Sequence, residues 1–244
     1  MVKLWNARTP PNFRFSAKFP RIITHEKKFR HCEKQLERFY ETMLPLKDKL
    51  LTLLIQFPPS FKIKEGLEAL GQYDFYFDDT YRYAVEIRHP SWFNDLAYNF
   101  FKKYNICLVW NQLDIVQTPP VITTDFTYIR FIGDRSISEK DFGTIQRDRA
   151  VEMLNWATKL KEVQQYEKDV ESAMVAANNH YEGFGPETSN MFREMLGLPR
   201  VQWGNEKDIP RMVEFEEVGD HKKRAMKQTS LSDFMMKNKS KINI

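Results

Sequence analysis

The chain has 244 residues, 42% hydrophobic and 14% aromatic, with 37 Lys and Arg against 33 Asp and Glu, a formal charge of +4. This composition excludes a disordered protein, allows one sizeable core, and permits an anionic partner without demanding one. Two cysteines, Cys32 and Cys107, exclude a disulfide framework or a four-cysteine zinc site and point to a reducing cytoplasm. No signal-peptide pattern opens the chain, and the longest apolar runs, such as "LLTLLIQF", fall far short of the roughly 20 residues that span a bilayer. The expectation is a cytoplasmic protein with no membrane partner.

In chain order, the first strand-like run is "FRFSAKF" (13–19), followed by a helix-periodic stretch at 26–48. "LLTLLIQF" (50–57) precedes a helix at 61–71, "YAVEIRH" (83–89) precedes one at 94–104, and "ICLVWNQL" (106–113) runs toward "FTYIRFIG" (126–133). A helix at 148–169 leads to the sixth run, "SAMVAANN" (172–179), and a last helix at 187–196 closes the pattern. Alternating strands and helices predict an α/β fold with a parallel sheet, either open and doubly wound or part of a closed barrel. Nine glycines and no GxGxxG after any strand argue against a dinucleotide-binding fold. From Trp203 the periodicity gives way to charge, so the chain divides into a domain at 1–202 and an extension at 203–244.

Polar residues gather at the ends of these strands. In "AVEIRHPSW", side chains alternate faces, so Glu86 and Arg88 point one way while Val85 and Ile87 point the other. Lys18, Gln56, Arg130 and Asn178 hold equivalent positions near the C-terminal ends of their strands, the end at which α/β barrels carry their sites. Arg88, Arg130 and Lys18 form a candidate anion site, with Glu86 as general base or metal ligand, or as the acid of a purely structural ion pair. His89 and His25 follow strand ends and are offered as further site residues, each with an alternative as a loop-fixing hydrogen-bonding group. Asn178, Asn179 and His180 cap the last strand, where barrels often bind phosphate, although local loop-fixing bonds are an equally ordinary use of Asn. Trp92 and Trp110 are assigned to core packing.

The blocks "TPPNFRFSAKFPRIITHEK", "LLIQFPPSF", "YAVEIRHPSWF", "TTDFTYIRFIGDR" and "ANNHYEGFGPETSNMF" resemble successive signatures of the family called domain of unknown function 72. The resemblance runs from Trp5 to Pro199 and implies a TIM-like (β/α) barrel with no established activity. Members of that family usually carry a glycine-containing first strand and a second ending like "VEINSTFY", and this sequence starts beyond both. Six of eight strands are therefore expected, with two exposed edges unless an upstream segment, a partner or the extension covers them.

Metal chemistry is bounded by counting. Only His25, His89 and His180 of the five histidines fall at strand ends, too few for a trinuclear zinc cluster, and HExxH, GxSxG and P-loop motifs are absent. A divalent ion bound by Glu86 and some of these histidines, or metal-free chemistry, stays open.

A flexible tail is expected, and it carries "QTSLSDFMMKNK" (228–239). Gln228, Leu231, Phe234 and Met235, within 228–235, match the PCNA-interacting peptide pattern (PIP box), Q-x-x-h-x-x-aromatic-aromatic, with Met235 at the second aromatic position. Such a segment forms one helical turn that plugs a hydrophobic pocket on the sliding clamp. The leading expectation is a clamp-associated DNA replication or repair factor, with a metal-dependent nuclease or phosphodiesterase as its chemistry. The alternatives are a small-molecule barrel enzyme acting on a phosphorylated or carboxylated metabolite, and a non-catalytic clamp-bound adaptor.

Overall fold

The computed structural model describes residues 1–73, 77, 80–113 and 116–202. The extension, and with it the 228–235 motif, lies outside the described residues. Met1–Pro199 forms one unit of alternating strands and helices.

A short helix α1 (Val2–Arg8) precedes β1 (Phe15–Lys18), and the Lys49 ammonium holds α1 in place by donating to the carbonyls of Asn6 and Thr9 at 2.6 and 2.8 Å. Then follow α2 (Glu33–Met43), β2 (Leu50–Gln56), α3 (Ile63–Gly71), β3 (Tyr83–Glu86) and α4 (Asp95–Lys103). The fourth strand comes in two pieces, β4 (Ile106–Leu108) and β5 (Trp110–Leu113), and β6 (Val116–Gln117) turns back on it. The order is completed by β7 (Phe126–Phe131), α5 (Ala150–Tyr166), β8 (Ser172–Ala177), α6 (Asn179–Glu182) and α7 (Gly185–Met195).

Strands β1, β2, β3 and β4 pair in parallel, as do β5, β7 and β8, while β6 is antiparallel to β5. At the interruption, the Val109 amide donates to the Val85 carbonyl at 2.9 Å, so one bent strand bonds β3 with its first half and β7 with its second. The sheet also curls. Flat strands spaced about 4.8 Å apart would put β1 and β7 roughly 19 Å from each other. Instead the Ser16 and Tyr128 hydroxyls lie 3.4 Å apart, and Thr52 Oγ1 is 3.4 Å from Met174 Sδ. At the other end of the strands, Arg82 donates to Ser172 and Asp125.

Alternation divides the core in two. Leu54, Ala84, Cys107, Val109, Phe126 and Tyr128 fill the inner face, whereas Trp110, Ile129 and Phe131 pack outward against Trp156 and Leu160 of α5 and Phe192 of α7. Both assigned tryptophans are in the outer core. Trp92 stacks between Phe57 and Phe101 and donates Nε1–H to the Phe61 carbonyl, and Trp110 stacks on Trp156. Burial pushes the Cys107 thiol up to about 12 and raises that of Cys32, so both are inert. Among the described residues, no helix is long and apolar enough to cross a membrane.

The six expected strands are present with shorter bounds. The helix expected at 26–48 differs more, because Lys28, Phe29 and His31 adopt left-handed backbone and end a π-helical turn at Ile22–Glu26 before α2 begins. Helix α1, strand β6 and helix α6 are short elements that periodicity does not reveal.

Candidate anion site at the C-terminal edge of the sheet

Glu86 ends β3 at an inner position and is completely buried. A buried carboxylate without partners would cost several kcal/mol, and two guanidiniums meet this one. Arg88 Nε and Nη2 bond Glu86 Oε1 at 2.8 and 2.6 Å, and Arg130 Nη1 bonds Oε2. The register explains the meeting. Gln56 lies opposite Glu86, and Arg130 lies opposite Asn111 one strand further on, so four inner strand ends converge. Asn111 is buried too, accepting from Thr118 Oγ1 at 3.0 Å.

Above this carboxylate opens a pocket of about 660 Å³, lined by Lys18, Gln56, Arg88, Arg130, Asn178 and His180, and by the loop that leaves β7. Sequence reasoning missed that loop's contribution. Arg135 (φ 63°) and Gly133 (φ 77°) turn the backbone left-handed, which brings Asp134, Arg135 and Glu139 to the rim. A Cβ at residue 133 would overlap the His180 carbonyl, so only glycine lets loop and α6 touch. The "GDR" at 133–135 was the available signal, a Gly-Asp pair after a strand.

Electrostatics follow from this crowding. The Lys18 ammonium sits below the usual lysine range because burial disfavours its charge and Arg130, Arg88 and Arg135 repel it, with Glu86 opposing. Neither Lys18 nor Arg135 has an ion-pair partner among the described residues. Asp134 is held below the ordinary carboxylate range by Ser136, which donates its hydroxyl and backbone N–H, and by Arg147 at 2.9 Å.

The remaining expected residues separate into two groups. His180 lines the pocket, with Nδ1 3.2 Å from the Ile137 carbonyl and its ring edge-on to Phe142. Asn178 also lines it, but its side chain caps α6 by accepting from the His180 amide at 2.9 Å. Asn179 turns away and accepts from the Gly185 amide at 2.8 Å. His89 accepts from the Ser91 amide and caps the short turn at Pro90–Trp92. His25 pairs with Thr24 Oγ1 at 2.8 Å, and its ring is held below the usual histidine range by burial and then by Arg21, Lys18 and Arg88.

The donor set does not suit a divalent ion. Both Glu86 oxygens are engaged by guanidiniums, and the described residues contain no group of three His, Cys, Asp or Glu placed to hold a metal. What the arrangement can do is grip an anion. Two arginines are fixed by one carboxylate, and an ammonium and a third guanidinium face them with their charges uncommitted.

The family model described as protein of unknown function DUF72 matches residues 1–213. The curated UPF0759 protein YecE of Escherichia coli is 34% identical over 93 residues, a stretch that is 38% of this chain and 34% of that protein. A DUF72 family protein of known structure from Thermotoga maritima superposes with a TM-score of 0.66 at 28% identity, covering 78% of this chain and 76% of that one. Another, from Enterococcus faecalis, gives 0.65 at 25% identity over 81% and 83%.

Proposed function

The chain belongs to the DUF72 family, and from that premise we propose that its curled sheet is an incomplete TIM-like barrel whose mouth binds a phosphate-bearing ligand on a DNA-associated factor. The observation that carries the reading is the Lys18, Arg88, Arg130 and Arg135 cluster around one buried carboxylate. Barrels place their ligands at this end of the strands, and guanidinium forks are the side chains best matched to phosphate oxygens. The loop at 19–32 after β1 adds four Lys and Arg, at positions 21, 27, 28 and 30, against the single acid Glu26, which suits a polyanion. Recruitment to a sliding clamp through Gln228, Leu231, Phe234 and Met235 rests on their spacing alone.

The pocket volume favours a second reading, a small phosphorylated metabolite, because about 660 Å³ lies within the range of small-molecule sites. Two measurements test the proposal. Inorganic phosphate should raise the melting temperature of the full chain, and Lys18→Met should remove most of that rise; no rise at millimolar phosphate rejects the anion site. A peptide spanning 227–239 should bind the host's sliding clamp in calorimetry with roughly micromolar affinity. If Leu231→Ala with Phe234→Ala leaves that signal unchanged, the clamp reading is wrong and the metabolite reading takes its place.

A further inference from the structure

The mouth carries more positive charge than a singly charged group needs, and it carries it on several sides. Lys18 approaches from β1, Arg88 from the end of β3, Arg130 from β7 and Arg135 from the loop beyond β7. With Arg147 behind Asp134, five cations face the three carboxylates of Glu86, Asp134 and Glu139, leaving an excess of two. Glu86 spends its charge on orientation: one oxygen takes two donors of Arg88, the other takes Arg130, and the remaining N–H groups of both arginines are left for a ligand.

We propose that this site takes the terminal phosphate monoester of its ligand, as the dianion, in preference to a phosphodiester or a carboxylate. The inference rests on the anion-site reading above and narrows it. A monoester offers three equivalent oxygens and two charges, and it is attached through a single exit, so cations can surround it. A diester has one charge, two non-bridging oxygens and two exits, and would leave part of this cluster uncompensated. The same chemistry occurs on a small phosphorylated metabolite and at the phosphorylated end of a nucleic-acid strand. The two sources differ only in what continues past the rim.

Calorimetry with the full chain tests the inference, using methyl phosphate and dimethyl phosphate as probes. The second proton of a monoester leaves near pH 6, so methyl phosphate should bind about tenfold more tightly at about pH 7 than at about pH 5. Over the same range the groups of the protein can only lose protons, which removes positive charge or adds negative charge around the site. Both changes oppose binding, so a gain in affinity must come from the ligand. Dimethyl phosphate, which does not titrate there, should bind at least about tenfold more weakly at neutral pH and show no such gain.

Lys18→Met and Arg135→Gly should each weaken methyl phosphate by about tenfold or more. Glycine suits the left-handed backbone at 135, which keeps the second variant folded. Equal affinity for the two probes overturns the monoester inference while leaving the anion site standing, and binding of neither overturns both. A short oligothymidylate with a 5′-phosphate binding more tightly than methyl phosphate, with its hydroxyl-ended counterpart silent, assigns the phosphate to a strand end. Equal affinity of the phosphorylated oligomer and methyl phosphate assigns it to a small molecule.

Discussion

At the level of single residues, the Glu86 carboxylate is the point on which the site turns. Removing one partner of a buried pair leaves the other charge uncompensated, so Arg130→Leu should cost about 3 kcal/mol or more in urea denaturation. Arg135→Gly should cost almost nothing by the same measure, because its side chain bonds no other group among the described residues; comparable losses would show the two arginines playing the same structural part. A second buried acid, Glu182, tests the pH dependence. It accepts from the Arg149 amide through one oxygen at 3.1 Å, and burial raises its pKa above the usual 4.5 although Thr188 and that amide pull the other way. A raised folded value means that the protonated form suits the fold, so stability is greatest at acid pH and falls as pH rises through the folded pKa. Glu182→Gln keeps the acceptor and removes the charge. The variant should melt higher than the parent at neutral pH and match it below about pH 3, well under the unfolded value; a lower melting temperature at neutral pH would mean that the ionised form is the one required. Strand alternation made Glu86, Arg88 and Arg130 legible in the sequence. It said nothing of Asp134, Arg135 and Glu139, whose positions depend on two left-handed backbone angles with no periodic signature.

Among the elements, the strands were legible because each is a short apolar run with polar ends. Their extents were not, since hydrogen-bond register and the break at Val109 are set by neighbouring strands and not by local sequence. The stretch from Ile132 to Arg149 is the element with most leverage on the site. It has one short 3₁₀ turn at Glu139–Asp141, and it is tied to α6 where the amides of Gln146 and Arg147 donate to the Glu182 carbonyl and that of Gly143 donates to the Gly183 carbonyl. Loops of this length without regular structure are usually functional. Gly133→Ala should destabilise the protein by more than about 1 kcal/mol, because its backbone angle is unfavourable for alanine and its Cβ has no room. Phosphate affinity should fall with it, since His180 and Arg135 are both displaced. A variant with native stability and native binding would show that the backbone can relax around the new methyl group.

For the whole molecule, the described strands leave β1 and β8 each paired on one side only. Next to β1 lie exposed apolar residues, Leu4, Trp5 and Phe13, with Trp5 and Phe13 both against Phe15. Edges of this kind favour association. Light scattering of the full chain should report a mass that grows with concentration, and Phe13→Glu should suppress the growth without lowering the melting temperature. A constant monomer mass would mean that the β1 edge is protected.

The two-sided strands have a consequence for variation. Outward positions such as Ile129 and Phe131 hold helices, whereas inward positions near strand ends, such as Lys18 and Arg130, face the pocket. In a library covering every substitution, selection for cellular abundance and selection for ligand capture should therefore single out alternate codons along β7. The ligand could then be exchanged over generations by rewriting one set of codons while the other keeps the protein folded.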